Sequence, residues 1–450
     1  MKPNQTASDR DDSSSTSSRA SRRAFLGSAA TLSALAFAGC MGSDGSGAAT
    51  ETATDTPMAT ATETPTPTEE PMTETETETM QRVDPDVPVL NYALTLEHLE
   101  NAFYRDGLAA FSDDELMSAS VLSNFDEQVR MDVPEYLTVV GEHEAAHVEA
   151  IAATVEQLGG TPVEEAEYDF GYETPSEFLG VAQALENTGV AAYAGAAPSI
   201  HSNDVLSAAA GIHSVEARHA SFLNLVNGDS PYPKAVDEAR SMAEVLEIAG
   251  QFVTSDTSGM SESPETMEKP IARKQENEVS DLDVLNYALT LEHLENAFYR
   301  DGLAAFSDDE LMSADALSVF SEDLRATVPG RLATVGEHEA AHVTALTDVV
   351  EQLGGTPVEE AEYDFGYETP SEFLGVAQAL ENTGVAAYAG AAPTVQNDDI
   401  FAAAIGIHSV EARHASFLNE LNVSSPFPAG VDEAMTMAEV REVAGQFIVN

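Results

Sequence analysis

From about residue 87 onward, apolar positions recur every three to four residues, the period of amphipathic helices, and strand-type alternation is absent. Pro88 opens one such stretch, running to about Phe111, with Leu90, Leu94, Glu97, Asn101, Tyr104 and Leu108 on a single stripe. Pro134 opens a second, which Gly159-Gly160 ends; its stripe is Leu137, Val140, Glu144, His147, Ile151 and Leu158. Pro175-Ser176 starts a third, to about Ala197, aligning Leu179, Ala182, Glu186, Val190 and Tyr193. Asn203-Asp204 caps a fourth, which turns Ala209, Ile212, Glu216, His219, Leu223 and Val226 inward, and a shorter fifth helix follows Pro233. The pattern predicts an all-α fold built as a four-helix bundle.

It predicts that bundle twice. Residues 90–119 recur unchanged at 285–314, and 155–198 recur unchanged at 350–393. One domain therefore occupies 87–253 and its duplicate 282–450, joined by a polar linker, 254–281, that lacks aromatic residues.

Charged residues interrupt the inward stripes. Glu97, Glu144, His147, Glu186, Glu216 and His219 stand where a bundle wants Leu, and unpaired they would cost several kcal/mol each. Glu144-Ala-Ala-His147 and Glu216-Ala-Arg-His219 each set a carboxylate and an imidazole one turn apart on one helix face. The other two helices contribute one Glu each, which completes the donor set of a dinuclear metal site in a four-helix bundle. The second copy repeats it as Glu292, Glu339, His342, Glu381, Glu411 and His414. Helix one also offers Glu100. Glu97 and Glu186 are each followed seven residues on by a Tyr, Tyr104 and Tyr193, whereas the counterpart of Glu100 is Gly189. Glu97 is thus taken as the ligand, and Glu100 as an exposed or supporting carboxylate. His98, His143 and His213 adjoin ligands in sequence but point ~100° away, which suits exposed or supporting roles. The connection 159–175 can reach ~55 Å, enough to run the length of a ~38 Å helix, so helices two and three can lie parallel.

The chain resembles the ferritin-like domain family, which includes desiccation-related proteins. The resemblance rests on Leu90-Asn91-Tyr92-Ala93-Leu94, Leu96-Glu97-His98-Leu99-Glu100, Gly159-Gly160-Thr161-Pro162, Tyr168-Asp169-Phe170-Gly171, Leu185-Glu186-Asn187-Thr188-Gly189 and Glu216-Ala217-Arg218-His219. It implies two tandem ferritin-like bundles, each holding two Fe or Mn ions (four per chain) that react with dioxygen or peroxide. It further implies that Glu144 and Glu216 bridge the metals and that Glu97 and Glu186 are terminal ligands. His147 and His219 would supply one nitrogen each, with Tyr104 and Tyr193 (Tyr299 and Tyr388 in the duplicate) orienting the carboxylates. Hard carboxylates with imidazoles suit Fe or Mn.

The amino-terminal region reads as an address. Ser21-Arg22-Arg23-Ala24-Phe25-Leu26 and the apolar run to Ala38 resemble a twin-arginine signal peptide over 1–39, too short to span a bilayer. Cys40, the only cysteine, follows Phe37-Ala38-Gly39 as in a lipoprotein processing box, which predicts an exported protein lipid-anchored to the outer face of the cytoplasmic membrane. Residues 40–86, rich in Thr, Glu and Pro, read as a disordered stalk. With 78 acidic against 19 basic residues, the net charge of −59 excludes nucleic-acid partners and points to a salt-rich solvent. One cysteine also excludes an intrachain disulfide or thiolate cluster. Two functions follow: a di-metal oxidase or peroxidase of manganese-catalase type, acting on dioxygen or peroxide, or a metal-stabilised structural module of the envelope. The repeats are expected to pack as an intramolecular pseudo-dimer.

Overall fold

The protein is described by a computed structural model over residues 83–254 and 279–449. The signal peptide, Cys40, most of the stalk and nearly all of the linker lie outside the described residues.

Repeat 1 is built on α1 (Val87–Ala110), α3 (Glu127–Gln157), α4 (Pro175–Ala196) and α5 (Asn203–Val226), with short α2 (Asp113–Met117) and α6 (Met242–Ala249). Repeat 2 follows the same order: α7 (Asp281–Ala305), α8 (Asp308–Met312), α9 (Glu322–Arg325), α10 (Val328–Gln352), α11 (Pro370–Ala391), α12 (Asp398–Leu421) and α13 (Met437–Ala444). In repeat 1, α1 packs on α3 and α4 on α5, each helix burying the stripe that carries its Leu, Val and Phe. No helix among the described residues is long and apolar enough to cross a membrane.

Two helix starts differ from expectation. Pro134 lies inside α3, which begins seven residues earlier because the Asp126 carboxylate caps it by accepting from Val129 N at 3.0 Å. Its counterpart Pro329 does open α10, since the Thr327 hydroxyl donates to the Leu324 carbonyl and ends the preceding turn. The cap of α5 is Ser202 rather than Asn203, with its hydroxyl accepting from Val205 N. Asp86, expected in the stalk, is fully buried and accepts from the backbone N–H groups of His201 and Ser202, which ties the start of α1 to that of α5.

The crossover 158–174 turns at Gly159 (φ +79°) and runs extended along the bundle. It is held by a single bridge between Tyr168 and Val253 and by Phe170 and Tyr172 against Phe103.

The repeats meet along α5 and α12. Small residues there (Ala217, Ala220, Ala412, Ala415) let the helices approach, and the Ser221 and Ser416 hydroxyls donate to the Arg413 and Arg218 carbonyls across the seam. After α5 the chain does not enter a helix directly. Residues 227–241 form an irregular strap that crosses onto repeat 2 before α6 begins, and 422–436 does the same onto repeat 1.

Candidate metal centres

Four helices converge on the middle of each bundle. In repeat 1, α1 brings Glu97, α3 brings Glu144 and His147, α4 brings Glu186, and α5 brings Glu216 and His219, all with no solvent exposure. Their donor atoms form two groups: Glu97, Glu144, His147 and Glu216, and Glu144, Glu186, Glu216 and His219. Glu144 and Glu216 belong to both. Repeat 2 places Glu292, Glu339, His342, Glu381, Glu411 and His414 in the same two overlapping groups.

The donor set fits a pair of cations. His147 Nδ1 faces Glu97, Glu144 and Glu216 oxygens at 3.1, 3.3 and 3.2 Å. A ring nitrogen carries at most one proton, so it cannot satisfy three carboxylates. Donor atoms bound at right angles to one ion at roughly 2.1–2.2 Å lie about 3 Å apart, which is the spacing seen. Both oxygens of Glu144 and of Glu216 are buried without a hydrogen-bond donor, as are both of Glu411. Buried carboxylates left in that state are costly unless a cation meets them.

The electrostatics of the metal-free site show the same demand. Burial, only partly offset by His147, pushes Glu97 up to about 7. Burial and the neighbouring Glu144 raise Glu216 well above the carboxylate range. Glu144 goes the other way: burial would raise it, but His147 and His219 hold it below its ordinary value. Burial opposes a charge on His219, yet Glu186 and Glu144 lift it to about 9.

The tyrosines act on the terminal carboxylates in a crossed pattern. The Tyr104 hydroxyl donates to Glu186 Oε1 at 2.5 Å, and that of Tyr193 donates to Glu97 Oε1. Tyr299 reaches Glu381 at 2.6 Å and Tyr388 reaches Glu292. Each tyrosine thus steadies the Glu of the opposite helix, leaving the second oxygen of that Glu near a histidine: Glu97 Oε2 to His147 and Glu186 Oε2 to His219.

Of the two roles expected for Glu100, exposed or supporting, the structure favours the second. Glu100 is 3% exposed and aims into the site, where burial and then Glu216 push it well above the carboxylate range. The reason is Gly189, its counterpart on α4. A Cβ there would stand 3.1 Å from Glu100 Oε1 and 2.8 Å from Glu216 Oε2, so the missing side chain is the space Glu100 occupies. Its i, i+3 spacing from Glu97 is the signal that could have found it. Five Glu side chains therefore meet two imidazoles in each bundle (Glu295 is the fifth in repeat 2).

The neighbouring histidines divide. His143 is a partner of the centre, with Nδ1 3.1 Å from His219 Nε2; burial and the adjoining histidines depress it to about 2, so it stays neutral. His338 pairs likewise with His414. His98 Nε2 donates to the Val163 carbonyl and holds the crossover. His213 lies away from the centres, buried at the seam, with Nδ1 3.3 Å from that of His408. His201 meets Asp86 at the bundle end.

No curated protein matches the chain. The sequence model of the ferritin-like domain family matches it twice, over residues 85–229 and 280–423, each match spanning the four helices that carry one centre. The chain belongs to the ferritin-like domain family, as a tandem duplication.

Proposed function

We propose that each repeat binds two Fe or Mn ions and that the protein oxidises Fe(II) or removes peroxide. The observation that carries this reading is the pair of buried donor groups sharing Glu144 and Glu216, which would let these two carboxylates serve both ions. Glu97 with His147 would then serve one ion and Glu186 with His219 the other. A bound ion pair would supply two-electron exchange with dioxygen or peroxide at one site. The chain's own contribution is to hold the carboxylates: Tyr104 and Tyr193 fix the terminal pair, and Glu100 fills the space beside Gly189. We further propose export through the twin-arginine signal and anchoring through a lipidated Cys40; Cys40→Ser should move the protein from the membrane fraction to the medium.

A second reading has its own support. Every ligand side chain is fully buried, which suits ions that only stabilise a module of the envelope. Metal content of the full chain, purified in high salt and then titrated anaerobically with Fe(II) or Mn(II), tests both. About four ions per chain with reoxidation by dioxygen or peroxide supports the enzyme. Four ions without turnover supports the structural module, and no uptake overturns the metal reading altogether.

A further inference from the structure

The imidazole ligands each have a second ring nitrogen, and in both repeats one of these leaves its own domain. His147 Nε2 donates to the Gly430 carbonyl at 2.6 Å, and His342 Nε2 donates to the Ala235 carbonyl at 2.6 Å. Both acceptors lie on the strap of the other repeat. A carbonyl only accepts, so this contact puts a proton on Nε2 and turns Nδ1 toward the carboxylates. The strap also seats a ring on the second ligand: Phe427 lies edge-on to His219 at 5.1 Å, and Tyr232 to His414 at 4.9 Å.

The straps are built to stay there. Asp432 N donates to the Gly211 carbonyl, and the Asp432 carboxylate receives Arg218 Nε at 2.7 Å, with Arg218 2% exposed. Asp237 does the same with Gly406 and Arg413. Gly211 and Gly406 are required, since a Cβ on either would collide with the strap backbone.

We infer that each metal centre is a site shared between the repeats: residues 232–235 position the histidine ligands of repeat 2, and residues 427–430 those of repeat 1. This rests on the metal-binding reading above. The two centres are also unequal. The Tyr232 hydroxyl donates to the Arg331 carbonyl at 3.0 Å, tethering its strap to the helix that carries His342. Phe427 has no hydroxyl, so the strap over repeat 1 lacks that tether. The centre of repeat 2 is therefore the slower to release its ions.

The test uses full chains in which one centre is disabled by Glu144→Gln/Glu216→Gln or by Glu339→Gln/Glu411→Gln. Release of Mn(II) or Fe(II) to a chelator is then followed from the remaining centre. Tyr232→Ala should speed release from the repeat 2 centre at least tenfold and leave repeat 1 unchanged, Phe427→Ala should do the reverse, and Tyr232→Phe should cost only a few-fold. Faster release confined to the substituted strap's own repeat, or equal in both, overturns the inference. Hydrogen exchange of the metal-free chain provides an arm independent of metal. Tyr232→Ala should raise exchange over 332–342 and not over 137–147, and Tyr232→Phe should do so weakly if the alanine chain fails to fold. If the parent chain takes up no metal, the metal reading fails and this arm alone judges the strap; unchanged exchange at 332–342 refutes it.

Discussion

Gly189→Ala adds one methyl to the most crowded point of the first centre. The new Cβ would sit 2.8 Å from Glu216 Oε2 and 3.1 Å from Glu100 Oε1, closer than a carbon and a carboxylate oxygen rest. Both oxygens end flexible side chains, so the backbone need not move; the carboxylates turn aside instead. Overpacking of this size costs about 1–3 kcal/mol. Because it is taken up by Glu216, which belongs to both donor groups, it should appear as a five- to 150-fold loss of metal affinity, at about 1.4 kcal/mol per tenfold. The metal-free fold should not suffer, since Ala gains up to ~1 kcal/mol over Gly in a helix interior. Two internal comparisons sharpen the test. At Gly384 both carboxylate oxygens lie at 3.1 Å, so Gly384→Ala should weaken the second centre less. At Gly180, on the same helix, a Cβ meets nothing within 4 Å, so Gly180→Ala should stabilise the fold and leave metal affinity alone. Affinities come from chelator competition and stabilities from urea unfolding in fixed high salt. A Gly189→Ala chain that is less stable yet binds metal as the parent does would refute the reasoning, because the strain would then lie in the backbone.

Arg218→Met leaves the Asp432 carboxylate without its buried partner and should cost about 3–5 kcal/mol in urea unfolding, the size expected when one member of a buried pair is removed. Tyr104→Phe removes the donor to Glu186 and should lower metal affinity 10- to 100-fold in chelator competition while leaving the thermal midpoint of the metal-free chain nearly unchanged. The metal-free chain should lose stability as pH rises from 7 to 9. His219 and His414 are buried but lifted to about 9 by their carboxylates, so their contribution is complete below the ordinary 6.5 and lost as pH climbs through the folded value. His143 and His338, depressed to about 2 and about 4, complete their titration below that window. Thermal melts with and without chelator check this; a metal-free midpoint that rises from pH 7 to 9 contradicts it.

What the sequence disclosed was what leaves a periodic trace. Glu and His interrupt apolar stripes at fixed spacing, so the six residues per repeat that meet in each buried cluster could be read from position alone. The Glu-x6-Tyr spacing brings Tyr104 and Tyr193 into view, whereas their crossed pairing arises only from the packing of the helices. The sequence leaves Glu100 open between an exposed and a supporting role, because its counterpart Gly189 offers no side chain to match it. In the packed bundle the relation reverses, as the two positions face each other and only one side chain fits. The early start of α3 was hidden because Pro134 reads as a first-turn residue, and the Asp126 cap carries no apolar period. The straps left the least trace. Their key contacts are backbone carbonyls 283 and 107 residues away from the histidines they meet, and a carbonyl has no signature in sequence.

The straps also bear on why two bundles share one chain. In a symmetric homodimer every substitution at the seam appears twice, so a contact cannot be built on one side only. Here it is. Around the strap of repeat 1, the Tyr232 hydroxyl meets the Arg331 carbonyl, the Arg331 guanidinium lies 5.7 Å over Phe417, and the half-buried Glu420 lies close by, where desolvation and then Asp132 push it up to about 7. Around the strap of repeat 2 the corresponding positions are Phe427, Tyr136, Phe222 and Leu225; the three rings pack edge to face, with centroids 5.4–5.7 Å apart. One centre is therefore buttressed by a polar tether and the other by aromatic packing, while the donors beneath are the same. Fusion of the repeats is what permits that difference, and it makes the two clusters physically distinguishable despite their identical donor residues.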